Sequence, residues 1–294
     1  NHYRLDPRSI YKFSSFSRLC ARADIIDNFE DPIEEVMSKA LSRFALADSR
    51  RWIVFMLRVL ENIDHFDLTK LSDIEKRMLQ MFYITMWGKA IEDWNADEVF
   101  ENFQALLNSP IMLSELIALL KYNYNRIDFI DEPVSLGFDC PLDLHCTYTR
   151  DQLLVAMDFT KPSTVREGVK WLPDKKIDVF FITLNKSDKD YSPTTMYQDY
   201  SINETLFHWQ SQSTTNAEGK VGQRYINHRK NGSKVLLFVR EFKNDVYGNT
   251  APYTYLGSAK YVSHNGSRPM NITWRLDAPI PAKYLKKTNK LVVG

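Results

Sequence analysis

The stretch Lys234–Phe242, KVLLFVREF, decides the fold of the C-terminal half of this sequence. A short run of branched and aromatic residues bounded by turn-forming residues predicts a buried β-strand. The pair Asn231-Gly232 comes just before it, and an Asn-Gly pair next to a strand is a strong signal for a tight hairpin turn. We therefore predict a β-sheet built around this strand.

Strand patterns continue on both sides of this stretch. A second Asn-Gly pair, Asn265-Gly266, also lies between two of them. One short helix, TRDQLLVAMDF from Thr149, comes before the strands. Short and mostly antiparallel strands in this order predict a twisted sheet that curls into a barrel. The further strand patterns are KIDVFFITL (176–184), DYSINETLFHWQSQS (199–213), YTYLGSAKYVSH (253–264) and MNITWRL (270–276).

The first 130 residues have a different pattern, with apolar residues spaced three and four apart, which predicts amphipathic helices packed into a core. Glycine, proline and acidic residues then cluster in Asp131–Thr149, which indicates a domain boundary. We predict an α+β protein with a helical bundle or linker domain at 1–130 and a curled, mostly antiparallel β-barrel domain at 131–294. The five predicted helices cover residues 31–46, 48–63, 71–88, 95–109 and 109–124.

Charge is distributed unevenly along the chain, although the net charge is only +1. Residues 1–130 contain 16 Lys and Arg against 20 Asp and Glu, a net charge of −4. Residues 201–294 contain 14 against 5, a net charge of +9. The last third would therefore attract a polyanion.

Several functional classes lack their sequence signals. There is no P-loop, no zinc-protease helix motif and no nucleophile elbow, so we predict no catalytic residue. Glu241 and Lys243 could face the same side of a strand, but no upstream acidic partner completes a nuclease site. Cys140, His145 and Cys146 could begin a zinc site, yet no second cysteine pair follows, so we predict no metal site.

Cellular location follows from cysteine content and hydropathy. Three cysteines are an odd number and too few for a disulfide scaffold, which favours reduced thiols in a cytoplasmic protein. No apolar run approaches the ~18 residues of a membrane-spanning helix, and no signal peptide is present. We expect no membrane partner.

The stretch LFHWQSQST, from Leu206 to Thr214, carries many neutral hydrogen-bonding groups beside large rings. In a strand, Phe207 and Trp209 share one face while His208 and Gln210 share the other. A tyrosine-rich loop, YSPTTMYQDY, precedes it. Aromatic rings stack on bases, and a carboxylate such as Asp199 can accept from the amino group of cytosine. The predicted base-binding pocket consists of Tyr197, Asp199, Tyr200, His208, Trp209 and Gln212.

Two basic loops accompany this pocket. GQRYINHRKNG (222–232) and SHNGSRP (263–269) are both predicted to be hairpin tips. Such tips could hold a nucleic acid duplex by its phosphates, or form ordinary soluble surface. From the residues alone, nucleic acid binding and protein or peptide binding both remain open. The predicted contacts to the DNA backbone are Arg224, His228, Arg229, Lys230, His264 and Arg268.

Six stretches in order resemble the C-terminal domain of unknown function found on bacterial restriction proteins. They are PLDLHCTYT, SPTTMYQDY, LFHWQSQS, VLLFVRE, PYTYLGSAKYVSH and PMNITWRLDAPIPA, and they lie within about residues 130–285. The restriction proteins join a phospholipase-D-type nuclease, a superfamily-2 helicase motor and this domain. Among them, the SauUSI-like type IV enzymes cut DNA that carries 5-methylcytosine or 5-hydroxymethylcytosine.

The resemblance implies both a fold and a function. The C-terminal domain of those enzymes resembles the SRA and PUA folds, curled barrels, and in the SRA fold a modified base is flipped out of the duplex. Its task there would be defence against phage. The helical region resembles the linker between motor and reader. ATP and Mg would serve a motor on a preceding part of the same polypeptide, with no cofactor in this chain. The alternative is a protein-interaction or dimerisation module of a helicase-nuclease that reads no base.

Overall fold

The computed structural model describes residues 5–186 and 199–288 of the 294-residue chain. The chain forms two compact units, Asn1–Thr164 and Val165–Gly294. Helices dominate the first unit and strands the second, so the predicted α+β class is confirmed. The two units are called here the helical unit and the β unit.

The helical unit contains all five helices predicted from the apolar spacing. Short-range signals set their ends: Ser72 and Glu75 form a capping box, and Gly88 ends that helix with a φ of 72°. The described helices are α1 (Pro7–Tyr11), α2 (Phe16–Arg22), α3 (Glu34–Phe44), α4 (Arg50–Glu61), α5 (Asp73–Trp87), α6 (Ala96–Gln104), α7 (Pro110–Tyr124) and α8 (Arg150–Val155), with short strands β1 (Glu132–Pro133), β2 (Asp143–Leu144) and β3 (Thr147–Tyr148).

The helical unit extends beyond the boundary predicted at residue 130. Gln152 of α8 donates a hydrogen bond from Nε2 to Oγ1 of Thr85 in α5, at 2.9 Å. The buried carboxylate of Asp143 accepts hydrogen bonds from Ser49 at 2.6 Å and from Arg51 at 2.7 Å. These contacts attach residues 143–152 to the helices, because a buried carboxylate needs partners and Asp143 takes them from Ser49 and Arg51 of the helical unit. The compact units therefore divide at Thr164.

The β unit is a mixed and mostly antiparallel sheet, with strands bonded in the order β4-β5-β8-β9-β10-β7-β6. Among these neighbouring pairs only β5 and β8 are parallel. The strands are β4 (Val169–Leu172), β5 (Ile177–Thr183), β6 (Tyr200–Ser201), β7 (Leu206–Gln210), β8 (Lys234–Arg240), β9 (Tyr253–Asn265) and β10 (Asn271–Leu276), with helices α9 (Lys220–Ile226) and α10 (Ala282–Thr288).

The sheet curls, but it does not close into the predicted barrel. The rings of Phe180 in β5 and Trp209 in β7 stack with centroids 4.2 Å apart, although three strands lie between β5 and β7 in the sheet order. The sheet must therefore bend around a shared core. Within the described residues, the end strands β4 and β6 do not pair with each other, and β6 has only two paired residues. The barrel prediction was wrong on closure.

One of the two predicted hairpins is also wrong. Residues 220–226 form helix α9, so the basic stretch at 222–232 is the end of a helix and the turn leading into β8. β8 then pairs in parallel with β5, which a hairpin could not produce. The second hairpin is confirmed, because β9 and β10 are antiparallel and Gly266 lies in the turn between them with a φ of 75°.

The helices within residues 5–186 and 199–288 are short compared with the ~20 residues of a membrane span. No single helix there is long and apolar enough to cross a membrane, and one pair, Ala96–Asn108 with Pro110–Tyr124, passes by length and composition together but is bent by 103°.

Candidate nucleic acid recognition face

Neutral polar side chains form two rows across three strands of the β unit. In the first row Thr273 of β10 lies opposite His208 of β7 and Ser263 of β9. In the second row Asn271 lies opposite Gln210 on one side and Asn265 on the other. Residues paired across strands point to the same face of a sheet, so these six side chains share one surface. We call it the polar face.

The opposite face of the same strands is the core, which explains why the polar face is oriented outward. Phe207 and Trp209 alternate with His208 along β7, and Ile272 and Trp274 alternate with Thr273 along β10. All four apolar residues are buried. Shifting either strand by one residue would exchange the two faces, so burial of these side chains holds the polar rows in place.

Tyr200 extends the first row by one strand. It pairs with His208 across β6 and β7, and the two rings stack with centroids 4.7 Å apart and planes 14° from parallel. Both side chains are half-buried. The stack sets a flat aromatic surface beside hydroxyl and amide groups. Of the residues predicted to form the pocket, Tyr200 and His208 thus lie in direct contact with each other.

Asp199 lies in the interior and not on the polar face. Its Oδ2 accepts from Nζ of Lys186 at 2.9 Å, and its Oδ1 accepts from the backbone N–H of Gln210 at 2.9 Å. Burial raises the pKa of Asp199, while the charge of Lys186 opposes the rise. Both carboxylate oxygens of Asp199 therefore already accept hydrogen bonds inside the protein, which disfavours its predicted role of accepting a hydrogen bond from a base. Tyr197 lies outside the described residues, and Gln212 is half-buried beyond the end of β7.

Trp209 is a core residue. Its side chain is 5% exposed and stacks on Phe180. It also packs edge-to-face with Tyr225, with the ring centroids 5.6 Å apart. A flipped base could not reach a ring enclosed in this way. The structure therefore separates Trp209 from the predicted base-binding set and gives it a role in packing.

Arg224 was predicted to contact phosphate but is paired inside the protein. Its Nε and Nη2 each donate to a different oxygen of Asp178 at 2.8 Å, and Asp178 is fully buried. The guanidinium also lies 4.6 Å from the ring centre of Trp171. Burial raises the pKa of Asp178, and the hydrogen bonds from Arg224 oppose the rise. These bonds occupy Arg224 in stabilising a buried carboxylate.

His228, also predicted to contact DNA, is 3% exposed. Its Nε2 accepts from the backbone N–H of Tyr261 at 3.0 Å, and its Nδ1 lies 3.2 Å from the carbonyl of Ser233. Nδ1 must therefore carry the proton, and the ring is neutral. Burial is the main cause that lowers the pKa of His228. The histidine bonds the edge of β9 just beyond its pairing with the first residues of β8.

The remaining predicted cations, Arg229, Lys230, His264 and Arg268, are exposed. His264 does not point to the polar face, because it lies opposite Ile272 of the core face across β9 and β10. Arg268 and His264 flank the turn between β9 and β10, beside the row of Asn271, and Oη of Tyr261 lies 2.6 Å from Nδ1 of His264. The bond from His228 to Tyr261 also brings the turn with Arg229 and Lys230 next to β9. At the opposite end of β10, Arg275 pairs with Lys260 across the strands, a cationic pair that was not predicted.

The structure adds five residues to the predicted site: Gln210, Ser263, Asn265, Asn271 and Thr273. The sequence signal for three of them is the alternation of polar and apolar residues in LFHWQ and NITWRL, whereas Ser263 and Asn265 lie in a continuous polar run, SHN. That alternation indicates an exposed strand face but does not say which strands are neighbours. The strand order in the sheet is what unites these residues with His208.

Possible metal ligands and the two buried cysteines, Cys140 and Cys146, bear on metal and thiol chemistry. In residues 5–186 and 199–288, no group of three or more His, Cys, Asp or Glu side chains is placed to hold a metal ion. Burial raises the pKa of Cys140 to about 12 and raises that of Cys146 further. Both thiols are therefore protonated at neutral pH, which disfavours metal binding and nucleophilic attack.

A protein-family model matches part of the chain. Residues 142–287 match a family described as "Domain of unknown function (DUF3427)". The matched range includes every described strand of the β unit. It supports the resemblance to a C-terminal domain of unknown function, and its description assigns no activity. No curated protein matches the chain.

Proposed function

We propose that the β unit is the DNA-binding target recognition region of a modification-dependent restriction enzyme. It would read 5-methylcytosine or 5-hydroxymethylcytosine, flipped out of double-stranded DNA onto the polar face. The observation that carries the proposal is the Tyr200–His208 stack joined to rows of neutral polar groups. A flipped base is flat and uncharged, and it has hydrogen-bonding edges that such a surface matches.

The free energy gained by stacking on an aromatic ring is comparable with the free energy needed to extrude a base. Extruding a base costs a few kcal/mol, and one base–aromatic stack returns about 1–3 kcal/mol. Hydroxyl and amide groups in the rows would bond the edge of the base. Burying a 5-methyl group adds only about 0.8 kcal/mol, so selectivity for the modification requires a closely fitting contact.

Exposed cations around the polar face would supply affinity independent of base sequence. Arg229, Lys230 and Arg268 are all exposed, and Arg275 is exposed on the same face of β10 as Thr273, two residues further along the strand. Contacts between such side chains and phosphates weaken as salt rises, because they release counterions from DNA. Arg224 and His228 are not included, since both have internal partners.

The wider role rests on the resemblance. We infer that the β unit is a relative of SRA and PUA folds whose sheet stays open, and that the helical unit couples it to a motor. ATP and Mg would act on motor and nuclease domains elsewhere in the same polypeptide, in the cytoplasm, in defence against phage. No catalytic role is assigned to this chain.

The test compares binding to matched duplexes with and without one modified cytosine. Thr273→Val removes one hydroxyl from the first row and keeps the shape of the side chain, and Thr254→Val is the matched control on β9 outside the rows. We expect Thr273→Val to reduce the preference for modified DNA about 2- to 10-fold, as loss of one hydrogen bond would. The control should retain it.

A salt titration tests the cations separately. Replacing Arg229 and Lys230 by Ala should lower the slope of log affinity against log salt by about 2, since each phosphate contact contributes close to one. Replacing the exposed Lys12 and Lys89 of the helical unit removes the same charge as a control. Wild-type protein that binds modified and unmodified duplexes equally at every salt concentration would refute the recognition function.

A second function, protein interaction or homodimerisation without base readout, has one specific observation in its favour. The loop between β8 and β9 carries two exposed apolar side chains, Val246 at 87% and Phe242 at 53%. Asp245 orders this loop, because its Oδ1 accepts from the N–H groups of Tyr247 and Asn249 at 2.9 Å each. If this function is correct, Val246→Ser should abolish self-association in analytical ultracentrifugation and leave DNA binding unchanged.

A further inference from the structure

A buried ion pair connects two parts of the curled sheet that are not neighbouring strands. Lys186 follows β5, and Asp199 directly precedes β6. Their side chains are 8% and 2% exposed, and Nζ lies 2.9 Å from Oδ2. The pair therefore joins the β5 side of the sheet to the β6 side, where the sheet does not close within the described residues.

The second oxygen of Asp199 continues the ladder between β6 and β7. Paired residues end at Tyr200 and His208, two positions before Gln210. Beyond that point the N–H of Gln210 donates to Oδ1 of Asp199, where a strand would have supplied a backbone carbonyl. The carboxylate thus holds the start of β6 against the end of β7. Tyr200 is the next residue along the chain, so its ring is held over His208.

The same network continues on the other side of Lys186. Asn185 donates from its backbone N–H to the carbonyl of Glu241 at 2.9 Å, just after β8. The residues around Lys186 are thus attached to the central strands of the sheet. Asp199 receives a cation whose own position is set by β5 and β8.

Stability alone is a poor explanation for such a pair. Removing two charges from water carries a penalty that their attraction often fails to offset, and apolar replacements of similar volume are often neutral or stabilising. A buried pair does, however, specify one arrangement, because either charge without the other is strongly disfavoured. That property suits the positioning of an aromatic stack.

We propose that Lys186 and Asp199 are positioning residues for the polar face, with Asp199 setting the Tyr200–His208 stack and Lys186 holding Asp199. Asp199 then acts through its internal bonds and does not read the base itself. The ion pair sets the Tyr200–His208 stack in the protein without DNA. Its consequence for DNA recognition rests on the proposed function.

The experiment uses the full chain and three variants of the Lys186–Asp199 pair, called here the clamp variants. Lys186→Met removes the cation and Asp199→Asn removes the anion. Lys186→Met combined with Asp199→Leu removes both charges and fills the space with apolar side chains. The control is Lys121→Met combined with Glu61→Gln, which removes an ion pair of the helical unit, 2.7 Å long, whose side chains are 55% and 44% exposed.

The first measurement is the NMR resonance of the His208 ring carbon-bound protons in the free protein. It is assigned by its loss in His208→Gln, since the chain has six histidines. The stacked Tyr200 ring shifts this resonance by its ring current. We expect all three clamp variants to move it toward the value seen in Tyr200→Leu, while the control leaves it in place.

The second measurement is the affinity ratio for modified over unmodified duplex, with the salt slope recorded for each protein. We expect the ratio to fall about fivefold or more in the clamp variants, with the slope unchanged. The double apolar variant decides between positioning and stability, because it should recover the unfolding midpoint but neither the resonance nor the ratio. Recovery of the wild-type resonance in that variant would overturn the proposal.

The two readouts also separate this proposal from the proposed function. If wild-type protein shows no preference for modified DNA, the recognition function fails and the resonance still tests the positioning role. If the preference exists but Lys186→Met and Asp199→Asn retain both the ratio and the resonance at native stability, the positioning role fails alone.

Discussion

Replacing Arg224 by Ala distinguishes an internal ion pair from a contact to DNA phosphate. Arg224 makes two hydrogen bonds of 2.8 Å to Asp178, whose side chain is 0% exposed, while the Arg224 side chain is 18% exposed. The substitution would leave a buried carboxylate without its cation. Measured losses for one partner of a buried pair are about 3–5 kcal/mol, and loss of the contact with the ring of Trp171 adds to this.

The expected result for Arg224→Ala is therefore a lower stability of the β unit by about 3–5 kcal/mol. Urea unfolding measured by tryptophan fluorescence would report it. The same measurement on Trp209→Phe shows how much of the fluorescence change comes from Trp209 in the β unit. Arg224→Ala combined with Asp178→Leu should recover much of the loss, because the orphaned carboxylate is then absent. The matched control is Arg229→Ala, which removes an exposed cation three residues beyond the end of α9.

Salt dependence completes this test. An Arg224 that is used for Asp178 contributes nothing to the slope of log affinity against log salt, whereas a phosphate contact contributes close to one. The reasoning would be refuted if Arg224→Ala unfolded at the wild-type urea concentration and the salt slope fell by about one. That outcome would return Arg224 to the DNA contacts predicted from the sequence.

Two other predictions concern the core and pH. Trp209→Ala should destabilise the β unit by about 3–5 kcal/mol, since it removes a buried ring that stacks on Phe180; a urea midpoint close to wild type would contradict its core position. For His228, burial lowers the folded pKa, with Arg229 and Lys260 acting in the same direction, so the unfolded chain takes up the proton first as pH falls. The stability due to neutral His228 is complete above about pH 6.5 and decreases as pH falls from there toward the lowered folded pKa. His228→Gln should flatten the dependence of the urea midpoint on pH between about 5 and 7, and an unchanged dependence would exclude this origin.

The sequence by itself determined the elements whose signals are local. Helices α3 to α7 were predicted because apolar residues recur every three or four positions, and the capping box of Ser72 and Glu75 lies within four residues. The strands β5, β8, β9 and β10 were predicted for the same kind of reason, as was the turn at Asn265-Gly266. Each of these features depends on neighbours along the chain.

Tertiary structure alone decided which polar side chains remain on the surface. The types of Arg224, His228 and Asp199 suit DNA contacts, yet their partners Asp178, Tyr261 and Lys186 lie 46, 33 and 13 residues away. Sequence spacing does not encode such pairings, because they arise when a curled sheet brings distant strands together. The polar rows arise in the same way. Thr273 and Ser263 join His208 only because β10 lies between β7 and β9, and hydrogen bonding across strands depends on which strands are neighbours.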